Sequence, residues 1–224
     1  MEREHKIKVV FNSKTYGIIT IEEEFRKDKN ETNIIKNVNT SLGMSSFPTA
    51  KLEINVTSKF PNLISIKTGD EVSIYGCEID KSFEKLFQGV LLSVVVKSTK
   101  ETIELVIESV SAFYFLQKRQ LNYQNFINKS GLREILKELV EFCNINGKIE
   151  IDKSISNEFL LTPFNNFQAL SLINAICYDL DLVYDFNKGD IMRISKRNDV
   201  LAQMHTSIPF VVDNDKIISS EFKQ

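Results

Sequence analysis

The chain has 224 residues, of which 42% are hydrophobic and 26% charged, and its formal net charge is −2 at pH 7. That is enough apolar material for one large domain or two small ones, and too much for a disordered chain. Basic residues are interleaved with acids, as in Arg26-Lys27-Asp28-Lys29, whereas a general nucleic-acid binder carries a basic field.

Lys6 to Phe11 alternates as a half-buried strand, and Asn12 to Lys14 reads as a turn. Tyr16 to Phe25 is the second strand, ending in Glu22-Glu23-Glu24. Arg26 to Thr32 is a polar loop, Ile34 to Leu42 fits no period, and Gly43 to Pro48 is a loop again. Ala50 to Val56 alternates cleanly. Gly69-Asp70 is a tight-turn signal before the strand Glu71 to Gly76. Leu86 to Lys97 and Thr102 to Val110 form the next pair, with Ile103, Leu105 and Ile107 on one face and Glu104 and Glu108 on the other. About six or seven short strands with turn signals predict a small antiparallel barrel or sandwich. A barrel is favoured because closure removes exposed edges.

The period then changes. Ser130 is a good N-cap for a helix running to about Cys143. Leu132, Ile135, Leu136, Leu139 and Cys143 fall on one arc at about 100° per residue, with Arg133, Lys137 and Glu141 opposite. Asn144 and Gly147 are stop residues. A second helix starts at Asn165 or Asn166 and ends near Asp179. Its wider arc holds Ala169, Leu170, Leu172, Ile173, Ile176, Cys177 and Leu180, so it should be the more deeply buried. Leu182 to Phe186, the turn Asn187-Lys188-Gly189-Asp190 and Ile191 to Ile194 form a hairpin. Ile208 to Phe222 can add one or two strands. The predicted fold is thus mainly β with inserted helices (α+β). A small antiparallel β-barrel over residues 1–112 precedes an α+β unit with two amphipathic helices and a hairpin over 113–224.

The residues offer little chemistry. His5 lies in a charged leader and His205 in a loop, neither with a His or Cys at metal spacing. Asp179/Asp181 and Asp213/Asp215 flank elements, where such carboxylates cap turns. Cys77, Cys143 and Cys177 form no Cys-x-x-Cys, and Cys143 and Cys177 fall on apolar helix faces as small core residues. Phosphate loops and nucleophile elbows are absent. We therefore assign no catalytic, cofactor-binding or metal residue, expect no cofactor, and expect no enzyme. Met1 to Lys6 is charged with no apolar core behind it, so no signal peptide is read ahead of the sequons at Asn30, Asn39, Asn55 and Asn128. No apolar run reaches the ~18 residues that span a membrane. The aromatics Phe113, Tyr114, Phe115, Tyr123 and Phe126 have three readings: a seal between barrel and helical region, a stacking platform for bases or sugars, or an oligomer interface.

Several segments occur in an order that resembles the tail-hub (baseplate hub) proteins of contractile phages, tailocins and type VI secretion spikes. These include late control protein D-like chains and the hub region of valine-glycine repeat spike proteins. The segments are Ser46 to Ile54, Thr68 to Gly76, Leu86-Phe87-Gln88-Gly89-Val90, Phe126 to Leu136, and Phe167-Gln168-Ala169-Leu170 followed by the Leu182 to Ile194 hairpin. Together they cover most of Ile7 to Ser195. The resemblance implies a homotrimer in the tail baseplate, made in the bacterial host cytoplasm. It would join a hexameric tail tube to a trimeric spike protein beside other baseplate proteins, with no nucleic acid bound. Chains of this family often run longer, and this one lacks the oligonucleotide-fold and β-helix regions of spike proteins, so the resemblance implies a stand-alone hub. A small barrel that binds nucleic acid or carbohydrate is the alternative, and an enzyme such as a peptidoglycan hydrolase is third.

Overall fold

The computed structural model describes residues 5–25, 33–41, 47–99, 102–126 and 131–200. Strands β1 (His5–Ser13), β2 (Gly17–Phe25), β3 (Ile35–Ser41), β4 (Thr49–Val56), β5 (Glu71–Glu78), β6 (Glu84–Ser98) and β7 (Ile103–Val110) form the first part. They make one seven-stranded sheet in the order β2-β1-β5-β6-β7-β4-β3, antiparallel throughout. The sheet curls around the alternate apolar residues that its strands turn to one side. Val9, Phe11, Ile21, Leu52, Ile54, Val72, Ile74, Leu105 and Ile107 are all fully buried in one cluster.

The segment without a clear period is β3. Only Ile35 in it is buried, so its pattern is weak, and pairing with β4 makes it a strand. Among the described residues β2 and β3 share no ladder. Their ends are joined by the Glu23 carboxylate, which accepts the Ile34 and Ile35 backbone N–H groups at 2.6 Å each. The sheet is therefore a curled half-barrel, with a side chain bridging its two end strands at this point. That side chain satisfies edge donors that a strand partner would otherwise take.

The second part holds β8 (Gln120–Leu121), α1 (Leu132–Phe142), β9 (Lys148–Ile151), β10 (Phe167–Gln168), α2 (Ala169–Asp179), β11 (Leu182–Asn187) and β12 (Ile191–Lys196). The predicted stripe of α1 is the buried one: Leu132, Ile135, Leu136 and Leu139 at 0–1% exposure, continued by Cys143 beyond the helix end. The cap differs from expectation. Ser130 lies outside the described residues, and the N-cap is Gly131, at φ 94. The cap bonds come from Asn157, whose carbonyl accepts the Leu132 N–H at 3.0 Å and whose Oδ1 accepts the Arg133 N–H at 2.9 Å. They satisfy donors that every helix start leaves free. Helix α2 begins at Ala169, after its predicted start, because Phe167–Gln168 is extended and pairs with Leu121 and Gln120. Its buried face is Ala169, Leu172, Ile173, Ile176 and Cys177.

The predicted hairpin is β11–β12, and β9 joins β12 in parallel, giving the order β11-β12-β9. Both helices and this sheet share the second apolar cluster, which runs from Ala112 to Ile194. The tail from Ile208 to Phe222 lies outside the described residues.

Candidate functional site

The feature that sets this molecule apart from a closed barrel is the far half of β6. Strand β5 pairs with β6 only over Glu84 to Val90. Gly69 and Asp70 then bond the Leu91 backbone at 2.8 and 2.9 Å, and the Thr68 hydroxyl donates to the Leu92 carbonyl at 3.4 Å. A register shift between Leu91 and Ser93 follows. From Ser93 to Ser98 the strand has β7 on one side and, among the described residues, no strand on the other. Leu92, Val95 and Val96 stand 44%, 50% and 49% exposed there. A β-branched run on an unpaired edge is a ready template for another chain, and its exposed apolar side chains give a partner something to bury.

The near half of β6 holds the two parts of the molecule together. The β11–β12 loop presses against it: the Gln88 N–H donates to the Lys188 carbonyl at 2.7 Å. Lys85 Nζ reaches Asp190 Oδ2 at 2.6 Å and Gln88 Oε1 at 2.7 Å. The buried Ser111 hydroxyl donates to the Gly189 carbonyl at 2.6 Å. Glycines stand where the backbone packs tightest, Gly89 against β7 within the sheet and Gly189 where the loop meets β6. A Cβ on Gly89 would run into the Val110 carbonyl oxygen, and one on Gly189, at φ +83, into that of Gln88. Asn146 Nδ2 adds a bond to Glu71 Oε1 at 3.0 Å.

The aromatics sit behind this junction. Phe113 and Phe126 are buried, and Phe186 packs on Phe113 and Phe47 at centroid distances of 5.5 and 4.8 Å. Phe47 meets Tyr114 edge-on at 5.9 Å, and Lys118 lies over the Tyr114 ring. The geometry is that of a seal between the two parts. With Phe113 and Phe126 inside the core, the stretch is not an open platform for bases.

The other weighed residues do not converge. His5 stacks on Phe25, and Asp181 pairs with Arg197 at 3.2 Å. His205, Asp213 and Asp215 lie outside the described residues. Cys143 and Cys177 are buried, which pushes each thiol up to about 11, while Cys77 is partly exposed. Among the described residues no three His, Cys, Asp or Glu side chains are grouped to hold a metal ion, and no helix is long and apolar enough to cross a membrane. The signals that sequence reasoning missed are the half of β6 without a second strand partner among the described residues, written as a strand of unusual length, and the close approach of Gly189 to Gln88.

No protein-family model matches this chain, and no curated protein matches it in sequence. The fold does have solved counterparts. The 43 kDa tail protein of prophage MuSo2 from Shewanella oneidensis superposes with a TM-score of 0.58 at 10% identity, over 85% of this chain and 55% of that one. A tail protein from Neisseria meningitidis MC58 superposes with a TM-score of 0.51 at 12% identity, over 84% of this chain and 50% of that one. The chain therefore spans about half the length of the structures it resembles. At these identities the likeness is one of architecture alone, an architecture shared with these two tail proteins.

Proposed function

We propose that the chain is a structural hub of a phage tail or of a related phage-tail-like contractile particle such as a tailocin. In this reading it is a homotrimer in the baseplate. It joins a hexameric tail tube to a trimeric spike, beside other baseplate proteins, and it has no catalytic role of its own. Residues 1–112 and 113–224 are its two units, each with an apolar cluster of its own. The observation that carries the reading is the fold shared with the MuSo2 tail protein over 85% of the chain. The free half of β6 supports it, because an assembly part needs an edge for a neighbour. Closed cyclic symmetry is the usual way identical chains satisfy such edges.

The test is the copy number in assembled particles, read by cryo-electron microscopy or by mass photometry with the spike present. Three copies are expected; one or six would overturn the adaptor role. Val95→Asp at the free edge should leave the isolated chain folded and exclude it from particles. Normal incorporation of that variant would remove β6 as the contact.

A further inference from the structure

Two strand edges of this molecule, one in each part, match each other. On β6 the Thr99 N–H donates to the Thr102 carbonyl at 2.9 Å. Alternation back from that bonded pair gives the β7 bonds to Ser93, Val95 and Lys97, and turns the N–H and C=O groups of Val94 and Val96 outward. Their side chains stand opposite the buried Ile107 and Leu105, so they lie on the apolar face of the curled sheet. On β9 the Lys148 N–H donates to the Asp190 carbonyl and the Asp152 N–H to the Ile194 carbonyl. Ile149 and Ile151 therefore turn their backbone groups away from β12. Among the described residues no strand lies beyond either edge. The Ile149 and Ile151 side chains are half-buried against the second apolar cluster. Beside them a groove of ≈790 Å³ runs between β9 and α1, with Leu136 and Val140 on its α1 wall.

We propose that β6 of one copy adds antiparallel to β9 of the next copy, with Val96 opposite Ile149 and Val94 opposite Ile151. The proposal rests on the homotrimer reading for its copy number and adds the contact that closes the ring. A ring of three is built from a head-to-tail contact between two different patches, whereas a two-fold needs one patch that meets itself. This chain carries such a pair of patches, with outward backbone groups at the same spacing of every second residue.

The register follows from the side chains. Directly opposed residues share a face, so Val94 and Val96 of one copy line the groove of the next, over Leu136 and Val140. Apolar surface is covered on both chains. Val95 and Glu150 then meet on the other face, where Lys97 and Lys148 also oppose. Glu104 stands across from Lys97 in its own ladder, and Glu150 shares a face with Lys148 one step along β9. Each lysine therefore keeps a carboxylate beside it, and the exposed like-charge contact costs little against the buried pairs.

The experiment is cysteine cross-linking of the full 224-residue chain under mild oxidation, in a Cys77→Ser background, read on a non-reducing gel. Val95 and Glu150 form a non-hydrogen-bonded antiparallel pair, close enough for a disulfide. The Val95→Cys/Glu150→Cys variant should give a covalent trimer that reductant dissolves. Either single variant should stay uncross-linked. The Val95→Cys/Lys148→Cys variant, a diagonal pair about 7 Å apart, should link about tenfold less. No covalent species, a covalent dimer from either single variant, or linkage through Lys148 as strong as through Glu150 would overturn the pairing. The hub reading fails separately, on copy number. Three copies per particle without this cross-link would keep the hub and remove the contact, and a cross-linked trimer that never enters particles would do the reverse.

Discussion

Gly189→Ala tests the junction between the two parts, and its cost can be worked out. Gly189 sits at φ +83, and its Cβ would meet the Gln88 carbonyl oxygen, which is backbone and cannot swing aside. The left-handed conformation alone costs about 1 kcal/mol. Relief of the clash moves the loop off β6. That strains the Gln88 N–H to Lys188 bond of 2.7 Å and the buried Ser111 hydroxyl bond of 2.6 Å to Gly189. Each is worth about 1 kcal/mol net, and Ser111 left buried without its acceptor adds to that. The sum is about 3–4 kcal/mol, or a fall in Tm of about 6–15 °C for a chain of this size. Gly69→Ala is the control, because Gly69 has φ +90 but open space around its Cβ position. It carries the conformational cost alone, about 2–4 °C. Thermal unfolding followed by circular dichroism decides. Equal Tm values for the two variants would refute the idea that close backbone approach at Gly189 couples the two parts.

Glu23→Gln should weaken the closure between β2 and β3, because an amide offers one acceptor oxygen where the carboxylate offers a charged pair. A loss of about 1–3 kcal/mol is expected in urea titration, against under about 0.5 for the adjacent exposed Glu22→Gln. Identical midpoints would show that the Ile34 and Ile35 contacts add nothing. For the thiols, burial holds Cys143 and Cys177 protonated up to about 11, above the ordinary 9.0. A raised thiol pKa stabilises the folded chain fully below pH 9, and that contribution is lost as pH climbs from about 9 through 11. Native protein at pH 8 should therefore show one fast-reacting thiol, Cys77, and Cys77→Ser should abolish the fast phase. A fast phase that persists would place Cys143 or Cys177 at the surface.

What was legible in the sequence is what periodicity encodes locally. Strands β1, β2, β4, β5, β7, β11 and β12 and the stripe of α1 follow from the spacing of apolar residues, because burial on one face is all they need. What was not legible depends on distant partners. The run Glu22-Glu23-Glu24 looks like three equivalent acids, and only the arrival of Ile34 and Ile35 singles out the middle one. Ser130 carries the local helix-start signal, yet the cap bonds come from Asn157, far along the chain. Asn165 and Asn166 likewise announce α2 too early, because Phe167 and Gln168 are held extended by β8. No chemistry was read at Asp179 or Asp181. In the fold Asp181 is paired with Arg197 beside the end of β12.

Strand β6 ties these observations to the assembly role proposed above. Its near half touches the second part through the backbone at Gln88 and through Lys85, and Gly89 is pinned under Val110. Its far half, from Ser93, has β7 on one side and, among the described residues, no strand on the other. One uninterrupted strand thus carries both the contact inside the chain and the surface offered outside it. Interiors this closely packed do not deform gradually, so a partner bound along Val94 to Val96 is held in a fixed orientation relative to the β11–β12 hairpin. In the hub role proposed above, a part that orients two different neighbours needs that fixed relation more than it needs a reactive group. The bulge at Leu91–Ser93 is where the two tasks separate: before it the sequence answers to backbone approach within the chain, and after it to whatever covers the edge.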